Sequence, residues 1–312
     1  MSLRDKIDDS ACGWNSAAEA TSGTRTIASQ HAWFNGKITA REVSAPSVAS
    51  NSFHLGTGVF DGLMAYWNRD HYYIHRGEEH LARFREGAAR LGMPLRWSVD
   101  ELLSGIQAVL ELEPHGTQYV RPIAFRGAPE LWVTGNEGKP ADVSIFTVKV
   151  GRDVDELMTC QLSPIERTSS RSIPPQTKVS GAYVNSFLAR KTAELAGFQD
   201  GLMLDREGRV AEASAANFFA ILDDRLLSPA LNADIFPGVT RQVVLELAEQ
   251  AGVEHEEIEL LPADLRRIDA AFLCSTLMEI RGLSRIGDVA LGSAENEVYR
   301  TIVASFRSLT HQ

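Results

Sequence analysis

The chain has 312 residues, 44% of them hydrophobic and 23% charged, with a formal net charge of −10. That length suits one large or two medium α/β domains rather than a small module. No run approaches the roughly 18 consecutive apolar residues of a membrane span, and the excess of acid, with no basic run interleaved with aromatics, repels a phosphate backbone. Neither a membrane nor a nucleic acid is therefore expected as a partner. The opening stretch, residues 1–30, has no apolar core behind its early charges; it reads as an N-terminal arm rather than a secretory signal, and the expected location is cytoplasmic. Cys12, Cys160 and Cys274 are widely spaced and form no CxxC pair, so they offer neither a disulfide framework nor a zinc site, and no metal is expected.

In chain order, "AWFNGKI" and "HYYIHR" read as short strands near turns. In "EEHLARFREGAARLG", Leu81, Phe84, Ala88 and Leu91 recur at helical spacing, and Gly92 stands where a C-terminal cap belongs. Ser98 and Glu101 have capping-box spacing and open a second helix, with Leu103, Ile106, Val109 and Leu110 on one face. "YVRPIAFRG" and "VSIFTVKV" are rich in strand formers. The polar, turn-forming segment from Asp153 to Gln176 reads as a crossing between domains, with the boundary near residue 150: a smaller α/β domain over 31–150 and a larger α+β domain over 151–312. After Lys178, a helical stripe of Val184, Phe187, Leu188 and Leu195 is expected to pack inward, and Gly197 ends it. "DGLMLD", "RVAEAS" and "NFFAILD" are strand candidates separated by tight turns such as Arg206-Glu207-Gly208. "FPGVTRQVVLELAEQAG" turns from a Pro-Gly bend into a helix with Val243, Val244, Leu247, Ala248 and Ala251 inward, and "DAAFLCSTLMEIRGLSRIGD" returns to strand and loop. The second half is thus α+β, with helices on a largely antiparallel sheet.

The residue with the widest chemical scope is Lys178. A lysine attacks carbonyl groups only when burial or a nearby cation lowers its pKa. Thr177, Val179, Ser180 and Gly181 flank it, and no carboxylate stands within several residues to hold it as an ammonium. By itself it reads equally as a solvated loop cation. Glu212, between strand-forming stretches, is an odd choice for a half-buried position and asks for a buried cationic partner. "PGVTR" puts Thr240 and its neighbouring amides at a helix start, a ready anion site, although simple capping would use the same residue type. Ser275 and Thr276 add hydroxyl groups at a strand end, where they could equally satisfy a turn. Tyr119 and Arg121, two apart in "YVRP", face the same way on a strand. An amine, a carboxylate and several phosphate-type donors in one domain are the parts of a pyridoxal-phosphate site.

Lys178-x-x-x-x-Tyr183, Glu212 followed by Asn217, Pro237-Gly238-Val239-Thr240-Arg241 and Ser275-Thr276 resemble, in order and spacing, the fold-type IV pyridoxal-phosphate enzymes, the class IV aminotransferases. "GTGVFDGLMAY", "HLARF" and "YVRPIAFRG" resemble the versions of the family's other landmarks found in branched-chain amino acid aminotransferases. The match runs from about Trp33 to about Asp288. It implies a two-domain fold with pyridoxal 5'-phosphate in the cleft. Lys178 would join the cofactor and shuttle a proton, Glu212 would pair with the pyridine nitrogen, and Tyr183 would bond the phenolic oxygen. Arg83, Val239, Thr240 and Thr276 would hold the phosphate with Ser275 beside them. For the substrate, the resemblance implies Tyr119 and Arg121 around the carboxylate, Phe60 and Gly62 along the side chain, and the backbone amides of Leu277 and Met278 meeting the carboxylate, with their bulkier side chains reshaping the entrance. The implied reaction moves the amino group of an aliphatic L-amino acid to 2-oxoglutarate by a ping-pong cycle, with a homodimer or higher homo-oligomer as the working unit.

The departures concern substrate rather than cofactor. Leu55 stands where the branched-chain enzymes have a tyrosine, Ala216 where a carboxylate often precedes the asparagine, and Leu277 and Met278 where two small residues are usual. The loop over 127–136 also differs from the family's Gly-rich one. These keep open a D-amino acid or (R)-amine transaminase, an aminodeoxychorismate lyase or a specialised aminotransferase on the same scaffold, and, from another class, a silent cofactor-binding homologue.

Overall fold

A computed structural model of the chain describes residues 27–128, 132, 140–151, 156–231 and 234–310. The first sheet is built from β1 (Ile27–Ala28), β2 (His31–Phe34), β3 (Lys37–Ala40), β4 (Val59–Phe60), β5 (Leu63–Asn68), β6 (His71–Ile74), β7 (Gln118–Phe125) and β8 (Asp142–Lys149), in the order β3-β2-β8-β7-β5-β6. β1 lies on β8 and β4 on β7, and every pairing in this sheet is antiparallel. β1 falls inside the span that reads as an arm. "AWFNGKI" is not one strand but a hairpin, because Asn35 and Gly36 both take positive φ and reverse the chain between β2 and β3.

α1 (Asn51–His54) is a single turn, whereas α2 (Gly77–Arg90) and α3 (Val99–Leu110) cover one face of this sheet. Their apolar stripes explain why. Leu81, Phe84 and Ala88 of α2 join Leu102, Ile106, Val109 and Leu110 of α3 in one buried cluster with Val120, Val143 and Ile145 from the strands. The inward residue near the start of α3 is Leu102, not Leu103, which sits at the cluster's edge. The capping box closes as its spacing requires: the Glu101 amide donates to Ser98 Oγ at 3.1 Å and the Ser98 amide to Glu101 Oε2 at 2.7 Å.

The second sheet takes β9 (Met158–Leu162), β10 (Asp200–Leu204), β11 (Val210–Ala213), β12 (Asn217–Leu222), β13 (Arg225–Pro229), β14 (His255–Ile258), β15 (Ala270–Ser275), β16 (Glu279–Ile286) and β17 (Val289–Ala290). Because β11 pairs with both β10 and β12, the path β11-β10-β9-β16-β15-β12 closes into a ring of six strands, and Glu212↔Asn217 is the closing pair. β9 corrects the sequence reading of its region as a mere crossing. Met158 and Cys160 alternate inward, and the strand runs parallel to both β10 and β16 inside the ring. α5 (Val239–Gln250) and α6 (Glu297–Thr310) pack on the ring over Phe219, Phe272 and Ile280. Val243, Val244, Leu247 and Ala248 face inward as their spacing requires; Ala251 follows the helix and is exposed.

α4 (Tyr183–Leu195) is a larger correction. Its buried residues are Ser186, Ala189 and Ala193, while Val184, Phe187, Leu188 and Leu195 are 61%, 64%, 47% and 79% exposed. The small face wins because β10 passes very close: a Cβ on Gly201 would lie 2.9 Å from the Ala189 carbonyl oxygen, so no large side chain fits between helix and strand.

Candidate active site

Lys178 is placed by backbone rather than by its side chain. Thr177 N donates to Pro174 O at 3.1 Å to close the turn, and the next residues then run beside β4. Phe60 N donates to Lys178 O at 3.1 Å, Ser180 N to Gly58 O at 2.8 Å, and Gly181 N to Gly56 O at 2.8 Å. The last contact brings two backbones together, since a Cβ on Gly56 would lie 3.0 Å from Gly181 Cα. The first sheet thus holds the lysine that belongs to the second half of the chain.

The Lys178 amine lies among aromatic rings, with Nζ 4.2 Å from the centroid of Phe236, 5.4 Å from Tyr183 and 5.6 Å from Phe60. Among the described residues no carboxylate forms an ion pair with it. Burial first, and the Arg83 charge second, pull its pKa down to about 8. Such an amine is neutral over part of the ordinary pH range and can act as a nucleophile or a base.

The Glu212 carboxylate is buried, and the cation its position called for is Arg167, whose Nε donates to Oε1 at 2.5 Å. Asn217 Nδ2 donates to Oε2 at 2.9 Å and also to Phe236 O at 2.9 Å, and Phe236 N donates to Oε1 at 3.4 Å. Burial raises this carboxyl, while Arg167 opposes the shift. Tyr183 packs tilted against Phe60 with ring centroids 4.9 Å apart, and burial pushes its phenol up to about 12, which keeps it a hydrogen-bond donor.

The start of α5 is not capped by Thr240. The cap position is Gly238, no side chain caps the helix, and Gln242 N donates to Gly238 O, so the amides of Val239, Thr240 and Arg241 have no acceptor within the helix. Asn217 accounts for the glycine, since a Cβ there would collide with its Oδ1. Arg83 reaches the same corner from α2, donating through Nη1 to Pro237 O at 3.1 Å and lying over the Phe236 ring at 4.6 Å. Thr177 Oγ1 is buried without a protein partner along the same cavity. Open amides, a guanidinium and free hydroxyls converge in the manner of an oxyanion or phosphate cradle.

The fourteen residues to which the resemblance gives a cofactor or substrate role all line two adjoining cavities, and Lys178, Tyr183, Ser275 and Thr276 border both. Arg83, Glu212, Val239 and Thr240 line the inner one. Phe60, Gly62, Tyr119, Arg121, Leu277 and Met278 line the outer one. Arg121 Nη2 donates to Tyr119 Oη at 2.9 Å, and its guanidinium lies 4.4 Å from the Phe60 centroid. Gly62 leaves the space that the Tyr119 hydroxyl fills, because a Cβ there would collide with it. Met278 N donates to Ser275 Oγ at 3.3 Å.

Ala216 lines the inner cavity, but Leu55 lines neither: it is exposed at the end of α1. Most of the 127–136 loop lies outside the described residues. Sequence reasoning missed Arg167 and Asp61. Arg167 sits in a polar stretch with no periodic signal, and Asp61 was passed over between Phe60 and Gly62, although an acid beside buried strand residues is itself a signal.

Residues 58–286 match the family described as Amino-transferase class IV. A probable branched-chain-amino-acid aminotransferase of Aquifex aeolicus (strain VF5) is 33% identical over 277 residues, which cover 87% of this chain and 89% of that one. Among solved structures, the branched-chain aminotransferase of Thermoproteus uzoniensis with norvaline superposes with a TM-score of 0.87 at 26% identity, covering 91% of this chain and 95% of that one. The T.th. branched-chain amino acid aminotransferase complexed with N-(5'-phosphopyridoxyl)-L-glutamate gives 0.86 at 30% identity, with 91% and 95% covered.

Proposed function

Because the chain belongs to the class IV aminotransferases, we propose that it uses pyridoxal 5'-phosphate to move the amino group of an aliphatic, branched-chain-type L-amino acid to 2-oxoglutarate. The observation that carries this reading is one cavity bordered at once by a buried lysine with a lowered pKa and no ion-pair partner among the described residues, a buried carboxylate and an open helix start beside an arginine. That donor set fits the group: an amine for an aldehyde, an anion partner for a ring nitrogen and a cradle for a phosphate.

When bound, the cofactor supplies an aldehyde for an amine to join and a ring that draws electrons from the substrate Cα. Arg83, Thr240 and the free amides of α5 would hold the phosphate. Tyr183 would donate a hydrogen bond from its hydroxyl to the ring oxygen. Glu212, fixed between Arg167 and Asn217, would keep a proton on the ring nitrogen. Lys178 Nζ would shuttle a proton between the substrate Cα and the cofactor carbon C4′. Arg121, steadied by Tyr119, orients the substrate carboxylate, and Phe60, Leu277 and Met278 wall the side chain and exclude water.

A panel of L- and D-amino donors against 2-oxoglutarate and pyruvate, followed by cofactor absorbance, tests the reading. Leucine, isoleucine and valine in the L form should give the highest kcat/KM with 2-oxoglutarate; preference for a D-donor or a simple amine would reject it.

The exposed stripe of α4 supports a second copy of the chain as partner. Val184, Phe187 and Leu188 offer apolar surface to water, and Val184 also borders a groove with Phe53, Phe125 and Phe146. Sedimentation should give a homodimer or larger, and Phe187→Lys with Leu188→Lys should shift it toward monomer. A monomeric wild type would remove this part of the proposal.

A further inference from the structure

Arg83 stands at the anion cradle, yet three of its N–H groups are already engaged by the protein. Its Nε donates to Asp61 Oδ2 at 2.9 Å and its Nη2 to Asp61 Oδ1 at 2.8 Å, a two-pronged pair, while Nη1 donates to Pro237 O at 3.1 Å. Nη2 also lies 3.2 Å from His80 Nδ1, a nitrogen whose own proton points to Asp61; of the five N–H donors in the guanidinium plane, one on each Nη is thus left over. With the other three pinned on two sides, the plane is held, and Arg83 borders the inner cavity together with Gly238, Val239 and Thr240.

Asp61 itself lines neither cavity and is completely buried. It is fixed independently of Arg83. Its own amide donates to Pro122 O at 3.1 Å, and Oδ1 accepts from Gly62 N at 2.7 Å and meets His80 Nδ1 at 2.8 Å. His80, one turn before Arg83 on α2, is buried and held below its ordinary range by that burial, so its ring is neutral and its Nδ1–H donates a hydrogen bond to Asp61. Burial alone would lift the Asp61 carboxyl, but Arg83 and His80 outweigh it and hold it well below the usual carboxylate range. The carboxylate is therefore a permanent anion with a fixed position between β4 and α2.

The contacts thus act in series: Pro122 of β7, the Gly62 amide and His80 fix Asp61, Asp61 fixes the plane of Arg83, and Arg83 borders the inner cavity with the α5 start. We propose that Asp61 is a positioning residue for anion recognition, selecting the phosphate of the cofactor by holding Arg83 in one orientation. This rests on the phosphate-cradle reading of the inner cavity. The competing account is that the buried pair only ties α2 to β4 and has no bearing on what binds.

The two accounts differ in what Asp61→Asn does to ligand choice. Electrostatics alone would strengthen phosphate binding in the variant, since a negative charge is removed; loss of orientation would weaken it. The experiment is equilibrium titration of the apoprotein with pyridoxal phosphate and, separately, with pyridoxal, which lacks the phosphate. The expected result is that Asp61→Asn loses about 10- to 100-fold in affinity for pyridoxal phosphate, the span of one or two charge-assisted hydrogen bonds, and keeps its affinity for pyridoxal. Equal losses for both ligands, or an unchanged or raised preference for the phosphorylated one, would overturn the proposal.

A wild-type apoprotein that fails to prefer pyridoxal phosphate over pyridoxal would instead sink the cradle reading, so the two failures are told apart. Should Asp61→Asn alone not fold because it strands a buried Arg83, the comparison moves to Arg83→Ala with and without Asp61→Asn. There the second change should leave the preference between the two ligands unaltered. Any further selective loss would mean that Asp61 acts other than through Arg83.

Discussion

Lys178→Ala is expected to abolish transamination, lowering kcat by at least about a thousandfold, because it removes both the amine that joins the cofactor and the base that moves the proton. The fold should survive. The lysine is held through its backbone carbonyl and neighbouring amides, bonds that alanine keeps, and its side chain forms no ion pair with a carboxylate among the described residues. Circular dichroism should therefore match the wild type, while rapid mixing with an amino donor should show no decay of cofactor absorbance. Normal turnover by this variant would overturn the assignment. The same amine sets a pH dependence. Its pKa is lowered to about 8, so it is charged below that value and neutral above it. The rate at which wild-type apoprotein takes up pyridoxal phosphate should rise with pH through about 8 and level off beyond. A rate that keeps climbing toward the ordinary lysine range would show that the amine is not shielded.

The second large effect is expected from Glu212→Gln. A neutral amide cannot hold a proton on a ring nitrogen as a carboxylate does, and kcat should fall about 100-fold or more, in the range of a lost electrostatic partner in a dry site. Stability should fall as well. Arg167 loses its anion, and the amide presents N–H where Arg167 or Asn217 already donates. Breaking a buried pair of this kind costs about 3–5 kcal/mol. Thermal unfolding and kcat must therefore be measured together at a temperature where the variant is folded. A drop in melting temperature with turnover intact would reduce Glu212 to a strut closing the β11–β12 pair.

The contrast between Lys178 and α4 shows what a linear reading can and cannot see. Lys178, Glu212, Thr240 and Thr276 each had an ordinary local reading, and it was their order and spacing along the chain, with Tyr183, that made the set distinctive. The stripe of Val184, Phe187, Leu188 and Leu195 was legible as a stripe, but not which way it faces. Period 3.6 identifies an apolar side; it does not say whether the wall opposite has room for it, and at Gly201 it does not. β9 was hidden because only Met158 and Cys160 alternate inward within a polar surrounding, and α6 lies beyond the last motif although Val298, Ile302 and Phe306 have helical spacing. Asp61 and Arg167 act through partners 22 and 45 residues away, and sequence spacing contains no such pairing.

By itself, then, the chain's sequence determined the chemistry on offer: a lysine free of acids among its sequence neighbours, a carboxylate among strand formers, a helix start after a Pro-Gly bend, and the α/β elements around them. These are local properties, set by residue type, spacing and backbone preference. Only the tertiary structure decided how they combine. It brought β4 beside Lys178, closed the strand ring at Glu212 and Asn217, turned Arg83 toward α5 by way of Asp61, and left one helix face in the open. Those outcomes depend on which surfaces fit together at van der Waals distance and which buried charges find a partner, and both are settled by packing across long sequence separations.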